Sequence, residues 1–198
     1  MKLQLPIHSY ELRSIPASPA RLVNCFPESL PPDSKSPVML TRSPGIKAWT
    51  TVGDGPINAM KYCSLQVNGV QTRLLFVISG QKLYLVTEGK TVTELGTVGT
   101  PVNLSIANNF DSLVVVNEPN AFVWDGTDFT QILDEDFVSR GAGDVVFLDD
   151  FLVFREPDSG RFFSSESGSA TNFTGLMFAT AEASPDALAG MAVEHRQL

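Results

Sequence analysis

The sequence predicts an all-β fold, a β-propeller of repeated hairpin blades preceded by an extended, proline-rich N-terminal arm. Three observations predict it. Three segments copy one pattern of apolar strand, polar turn and apolar strand: 74–86, 113–124 and 151–163. Aligning Val77, Val116 and Phe154 gives steps of 39 and 38 residues, and a period of roughly 40 residues is that of one four-stranded propeller blade. Between the apolar runs, turn residues recur at short spacing, and no convincing amphipathic helix interrupts them.

Taken in order, residues 1–56 form the arm. They hold nine of the thirteen prolines. Each proline removes a backbone donor and biases its predecessor towards extended geometry, so no helix or central strand is expected there. The same segment carries Leu22, Val23, Phe26, Val38, Met39 and Leu40, more apolar surface than a disordered tail usually has. It reads as an arm lying on the domain or on a neighbouring subunit. Leu22, Val23, Phe26, Pro27, Pro44 and Trp49 are the candidate residues of an interface with a neighbouring subunit or another partner.

Residues 57–198 form the blades. Strands are expected at 57–65, 71–79, 82–87, 91–96, 102–107, 112–117, 121–125, 129–133, 144–148, 151–155 and 161–164. Turns such as Asn68-Gly69, Ser79-Gly80, Asp125-Gly126 and Ser159-Gly160 punctuate them. Residues 164–190 read as loop, with room for one helical turn between Ala179 and Ala189. The next step of the repeat lands near Ala192–Val193. That makes about three blades, fewer than the 4–8 of a closed ring, so the expectation is a fragment of a longer propeller or a ring completed by other chains.

Composition narrows the function. The 198 residues are 43% hydrophobic, and no apolar run approaches the roughly 20 residues of a membrane span. The N-terminus lacks a signal-peptide core, which predicts assembly in the cytoplasm and no membrane partner. Residues 1–100 carry ten Lys and Arg against six Asp and Glu, whereas residues 101–198 carry four against sixteen. An acidic back half opposes gripping nucleic acid but suits a polyanion passing without adhesion.

The search for chemistry is negative. There is no phosphate-binding glycine loop and no nucleophile elbow. His8 and His195 are the only histidines, and neither has triad partners nearby in sequence. Cys25 and Cys63 lack metal-ligand spacing. Asp134-Glu135-Asp136 and Asp149-Asp150 read as solvated turns, without the ligand alternation of a calcium loop or the fixed separation a glycosidase needs. No catalytic residue, metal or cofactor is assigned. Pro157-Asp158-Ser159-Gly160-Arg161-Phe162 is similar to the Asp-box hairpin of sialidase-type propellers, a structural device.

Several segments together are similar to one family. Arg21-Leu22-Val23-Asn24-Cys25-Phe26-Pro27-Glu28, Leu40-Thr41-Arg42-Ser43-Pro44-Gly45-Ile46, Gly80-Gln81-Lys82-Leu83-Tyr84, Trp124-Asp125-Gly126-Thr127 and Glu182-Ala183-Ser184-Pro185-Asp186-Ala187-Leu188-Ala189-Gly190 occur in an order and spacing that resembles the packaged-DNA stabilisation proteins of short-tailed bacteriophages, also called tail accessory or tail-hub proteins. The resemblance implies a non-enzymatic virion protein of the tail. Such a protein forms a ring, of six copies in the family, below the portal and its adaptor. It closes the DNA channel over the packaged genome and carries a tail fibre or spike. Asp134, Glu135 and Asp136 are then the candidate acidic residues facing the channel. The rival readings are a propeller module binding a receptor or glycan, which predicts an exposed aromatic pocket, and a propeller hydrolase, which predicts clustered Arg, Glu and Tyr.

Overall fold

A computed structural model describes residues 23–181 and 186–194. The chain divides into two compact units, Met1–Trp49 and Thr50–Leu198. In the first, β1 (Cys25–Ser29) pairs antiparallel with β2 (Val38–Arg42), Cys25 opposite Arg42 and Ser29 opposite Val38. The proline density excludes a helix or a central strand; the extended arm instead carries a hairpin of two edge strands. Pro27 sits inside β1 because both strands of a two-stranded ribbon are edges, where a missing N–H need not break a ladder.

The second unit is three four-stranded antiparallel meanders. Blade 1 is β3 (Ile57–Val67), β4 (Val70–Ser79), β5 (Lys82–Val86) and β6 (Val92–Thr97). Blade 2 is β7 (Leu104–Asn108), β8 (Leu113–Asn117), β9 (Asn120–Trp124) and β10 (Phe129–Gln131). Blade 3 is β11 (Asp144–Leu148), β12 (Phe151–Arg155), β13 (Arg161–Ser165) and β14 (Phe173–Thr180), with a one-turn helix α1 (Glu135–Val138) in the connection from blade 2. The turn chemistry is the one these hairpins demand. Asn68-Gly69 and Asp149-Asp150 both take positive φ at their two central positions, the geometry whose twist matches flanking strands. β14 replaces the loop expected at 164–190, and a bulge between Phe163 and Ser165 accompanies its pairing with β13.

Successive blades touch through their first strands, β3 against β7 and β7 against β11. The Ser105 hydroxyl donates to the Val145 carbonyl and accepts from the Val145 N–H, both at 3.3 Å. After β14 the chain returns to this inner row, where the Met191 N–H donates to Asp144 Oδ2 at 2.8 Å. That is the place to which the repeat step points.

Two apolar seams hold the blades together. Phe76, Ile78 and Leu83 of blade 1 pack on Leu113, Val115 and Trp124 of blade 2, with Phe76 edge-on to Trp124 at 5.2 Å. Val114, Val116, Ala121 and Val123 of blade 2 pack on Val145, Leu152, Phe154 and Phe163 of blade 3. The alternation along β8 corrects the sequence alignment by one residue. Phe154 covers the preceding blade, as Val115 does, whereas Val116 covers the following one. Val77, Val115 and Phe154 are therefore the equivalent positions, because a one-residue slip in a strand exchanges its two faces.

Candidate functional site

The second strand of each blade ends in a buried polar residue, Ser79, Asn117 or Arg155, spaced by 38 residues. Each ties down a connecting segment. Ser79 Oγ donates to the Gly55 carbonyl at 2.8 Å. Asn117 donates to the carbonyls of Val98 at 2.8 Å and Thr100 at 3.0 Å, and accepts from the Val102 N–H at 2.9 Å. Arg155 Nη2 donates to Glu118 Oε2 at 3.2 Å, and the Asn103 amide donates to the same carboxylate oxygen at 3.1 Å and to the Gly143 carbonyl at 2.9 Å. The polar atoms of Ser79 and Asn117 are satisfied, whereas Arg155 bonds through Nη2 and leaves its buried Nε without a partner; all three hold blades or their connections in register. Sequence reasoning passed over them, although a polar residue closing an apolar strand at a constant step was a visible signal.

The interface candidates fall on the first unit. Leu22 lies outside the described residues. Val23, Phe26 and Trp49 are 63%, 43% and 48% exposed, and Met39, Leu40 and Ile46 add further exposed apolar surface. Pro44 is exposed and Pro27 half-buried. Phe26 and Met39 share one face of the ribbon, and Pro27 and Leu40 the other.

Asp134, Glu135 and Asp136 are not a free acidic turn. Asp134 is the N-cap of α1, its Oδ1 accepting from the N–H groups of Asp136 at 3.0 Å and Phe137 at 3.2 Å, an arrangement that satisfies orphan donors at a helix start. The helix packs on β14, the outermost strand of blade 3, and Phe137 fills an aromatic cluster with Phe154, Phe163 and Phe173. These carboxylates thus stand at the rim of blade 3, away from the inner strands.

Blade 3 also presents a groove of about 480 Å³ lined by Phe151, Val153, Phe162, Leu176 and Phe178. Leu176 is 88% exposed and Phe178 47%. Arg140 is stacked between Phe163 at 5.3 Å and Phe178 at 5.1 Å, and Arg161 lies over Phe178 at 4.4 Å. A second recess, of about 390 Å³, follows the inner strands and is bordered by Lys61, Asn108, Val146 and Val193.

Neither recess gathers groups for catalysis. His8 and His195 lie outside the described residues. Among the described residues no group of three or more His, Cys, Asp or Glu is placed to hold a metal ion, and no helix is long and apolar enough to cross a membrane. The shifted titrations have local causes. Burial raises the Cys63 thiol to about 11. The Asp128 and Thr127 N–H groups hold the Asp125 carboxyl below its ordinary value. The hydrogen bond and charge of Glu94 raise Lys82.

Meandering four-stranded sheets fanning from adjacent first strands define a β-propeller protein. Over residues 18–198 the chain matches the phage-stabilisation family described as bacteriophage P22 Gp10, beta-propeller; it belongs to that family, and so to the phage structural proteins. A solved structure described as "YCF48 bound to D1 peptide" is similar, at 15% identity and a TM-score of 0.43 over 69% of this chain. The chain spans 45% of that structure's length. No curated protein matches it.

Proposed function

We propose that the chain is a structural component of a phage tail hub or nozzle, attached below the portal and adaptor, where copies assemble with one another to close the DNA channel and stabilise the packaged genome. Family membership over residues 18–198 is the observation that carries this reading. The physical features agree with it. Polar side chains are used to lock blade to blade, and the exposed apolar residues of the β1–β2 ribbon suit an assembly contact. An acidic rim at Asp134, Glu135 and Asp136 gives DNA no adhesive points; because it lies outside the inner strands, the channel it faces is one formed between subunits. A tail fibre or spike completes the set of partners.

The native mass of the full chain, measured alone and with the neighbouring virion proteins, tests this. A ring alone, or a stable complex with the adaptor, is the expected result. A monomer that joins neither itself nor the adaptor overturns the reading.

A further inference from the structure

We propose that Arg140 and helix α1 guard the outer edge of blade 3, keeping β14 from pairing with a strand of another chain. The guard stands whether or not copies of the chain assemble.

The fourth strand of each meander is the edge of its sheet. Its unpaired N–H and C=O groups are a template for strand addition, which proteins usually blunt with charge or by keeping the strand short. β6 carries Glu94, ion-paired with Lys82 at 2.8 Å, and β10 has three residues. β14 has neither protection. It runs for eight residues without a charge.

What β14 has instead is a break in its pleat. Phe178 lies opposite Phe163, and Phe173 opposite Ser165. Residues 174–177 therefore stand against the single residue Ser164, and the regular repeat that an added strand would need is lost. Within the break the Gly175 carbonyl accepts from Arg140 Nη2 at 2.6 Å. A carbonyl held in this way is not offered to an incoming strand. The Arg140 guanidinium is fixed by the rings of Phe163 at 5.3 Å and Phe178 at 5.1 Å. Its Nη1 is buried without a hydrogen-bond partner, so the group serves that one bond and the two rings.

Helix α1 closes on the same point. It packs on β14, and a Cβ placed on Gly175 would stand 3.0 Å from Asp136 Oδ1. The link between blades 1 and 2 covers only residues 98–103, whereas that between blades 2 and 3 covers 132–143 and supplies both α1 and Arg140. The longer link thus serves the blade with the long, uncharged edge. A bulge and a covering helix are two ways of closing an edge, and blade 3 uses both.

A fluorescein-labelled peptide of the β14 sequence, flanked by lysines for solubility, probes the edge of the full chain. The wild-type protein is expected to bind it weakly. Arg140→Ala is expected to bind it about 10-fold more tightly, the worth of one or two main-chain hydrogen bonds gained at the edge. Arg140→Lys keeps a stem for the two rings but loses the guanidinium fork, and should fall between them. The same peptide N-methylated at alternate residues cannot extend a ladder, and no variant should capture it. Amide exchange over residues 173–180 should quicken in Arg140→Ala while β12 keeps its protection, which separates an opened edge from an unfolded blade. Equal binding by wild type and both variants, capture of the methylated peptide, or capture that appears only when β12 has lost protection overturns the guard.

Discussion

Arg155 of blade 3 reaches across the seam to Glu118 of blade 2, with Nη2 3.2 Å from Oε2. The guanidinium side chain is 8% exposed and the carboxylate 25%, so the pair is screened less than one on the surface. Truncating Arg155 to Ala leaves Glu118 half-sheltered without its cation. The expected loss is about 2–4 kcal/mol, towards the lower end for a broken buried pair because Glu118 keeps some water. Urea unfolding of the Arg155→Ala protein measures it. An unchanged midpoint would show that the seam relies on apolar packing alone.

Asn117 makes three hydrogen bonds to the segment between blades 1 and 2. Asn117→Ala strands two carbonyls and one N–H, and is expected to cost about 2–4 kcal/mol. Asn117→Asp restores only the acceptor and should rescue little of that. Equal stability of the Asp variant and wild type would contradict the donor role.

Phe137 is 1% exposed and lies 4.9 Å from Phe173 and 5.3 Å from Phe154, ring centre to ring centre. Phe137→Ala empties the middle of this cluster, at an expected cost of about 3–5 kcal/mol. Phe137→Leu should recover roughly half. A calorimetric melting temperature that does not move in the Ala variant would rule out a packing role for α1.

Asp125 accepts from the N–H of Asp128 at 2.8 Å and of Thr127 at 2.9 Å, which lowers its titration in the folded state. The sign follows from linkage. The contribution is present above the unfolded carboxyl value, near 3.9, and disappears as pH falls through the lower folded value. Because the turn is exposed, less than about 1 kcal/mol is at stake. Urea midpoints between pH 2 and 6 should show a shallower acid slope for Asp125→Asn than for wild type, and superimposable slopes would count against it.

Cys63 titrates at about 11 in the folded chain, against 9.0 for a free thiol, because burial opposes the thiolate more than Lys61 favours it. Two units correspond to about 100-fold less thiolate at pH 8. Iodoacetamide should therefore modify Cys63 about 100-fold more slowly in the native protein than in urea. Comparable rates would mean that the side chain is open to solvent.

Much of the fold was legible in the sequence because its signals were local. Eleven of the twelve blade strands announced themselves by apolar runs and turn pairs, such as Asn68-Gly69. β14 was not legible. Phe173–Thr180 contains Gly175 and follows a Ser- and Gly-rich loop, and only pairing with β13 makes it a strand. The β1–β2 ribbon was hidden by Pro27, whose cost vanishes at an edge. Helix α1 was hidden by length, since four residues show no periodicity, although Asp134 before Glu135 and Asp136 is a capping signature. The placement of the acidic residues beside β14 is a tertiary fact that no spacing encodes. Val23, Phe26 and Trp49 are exposed, whereas the groove depends on which face of β12 the preceding blade occupies, and that parity was misread by one residue at Val116.

Every residue of β8 is buried, alternately by the blade before it and the blade after it. The middle sheet therefore has no side of its own on which to stand. While the chain is being synthesised, Val114 and Val116 stay uncovered until Phe154 has emerged and folded back, which leaves a window in which chaperones or proteases can act. Once closed, the three sheets share their melting, and a scanning calorimeter should record one endotherm for them.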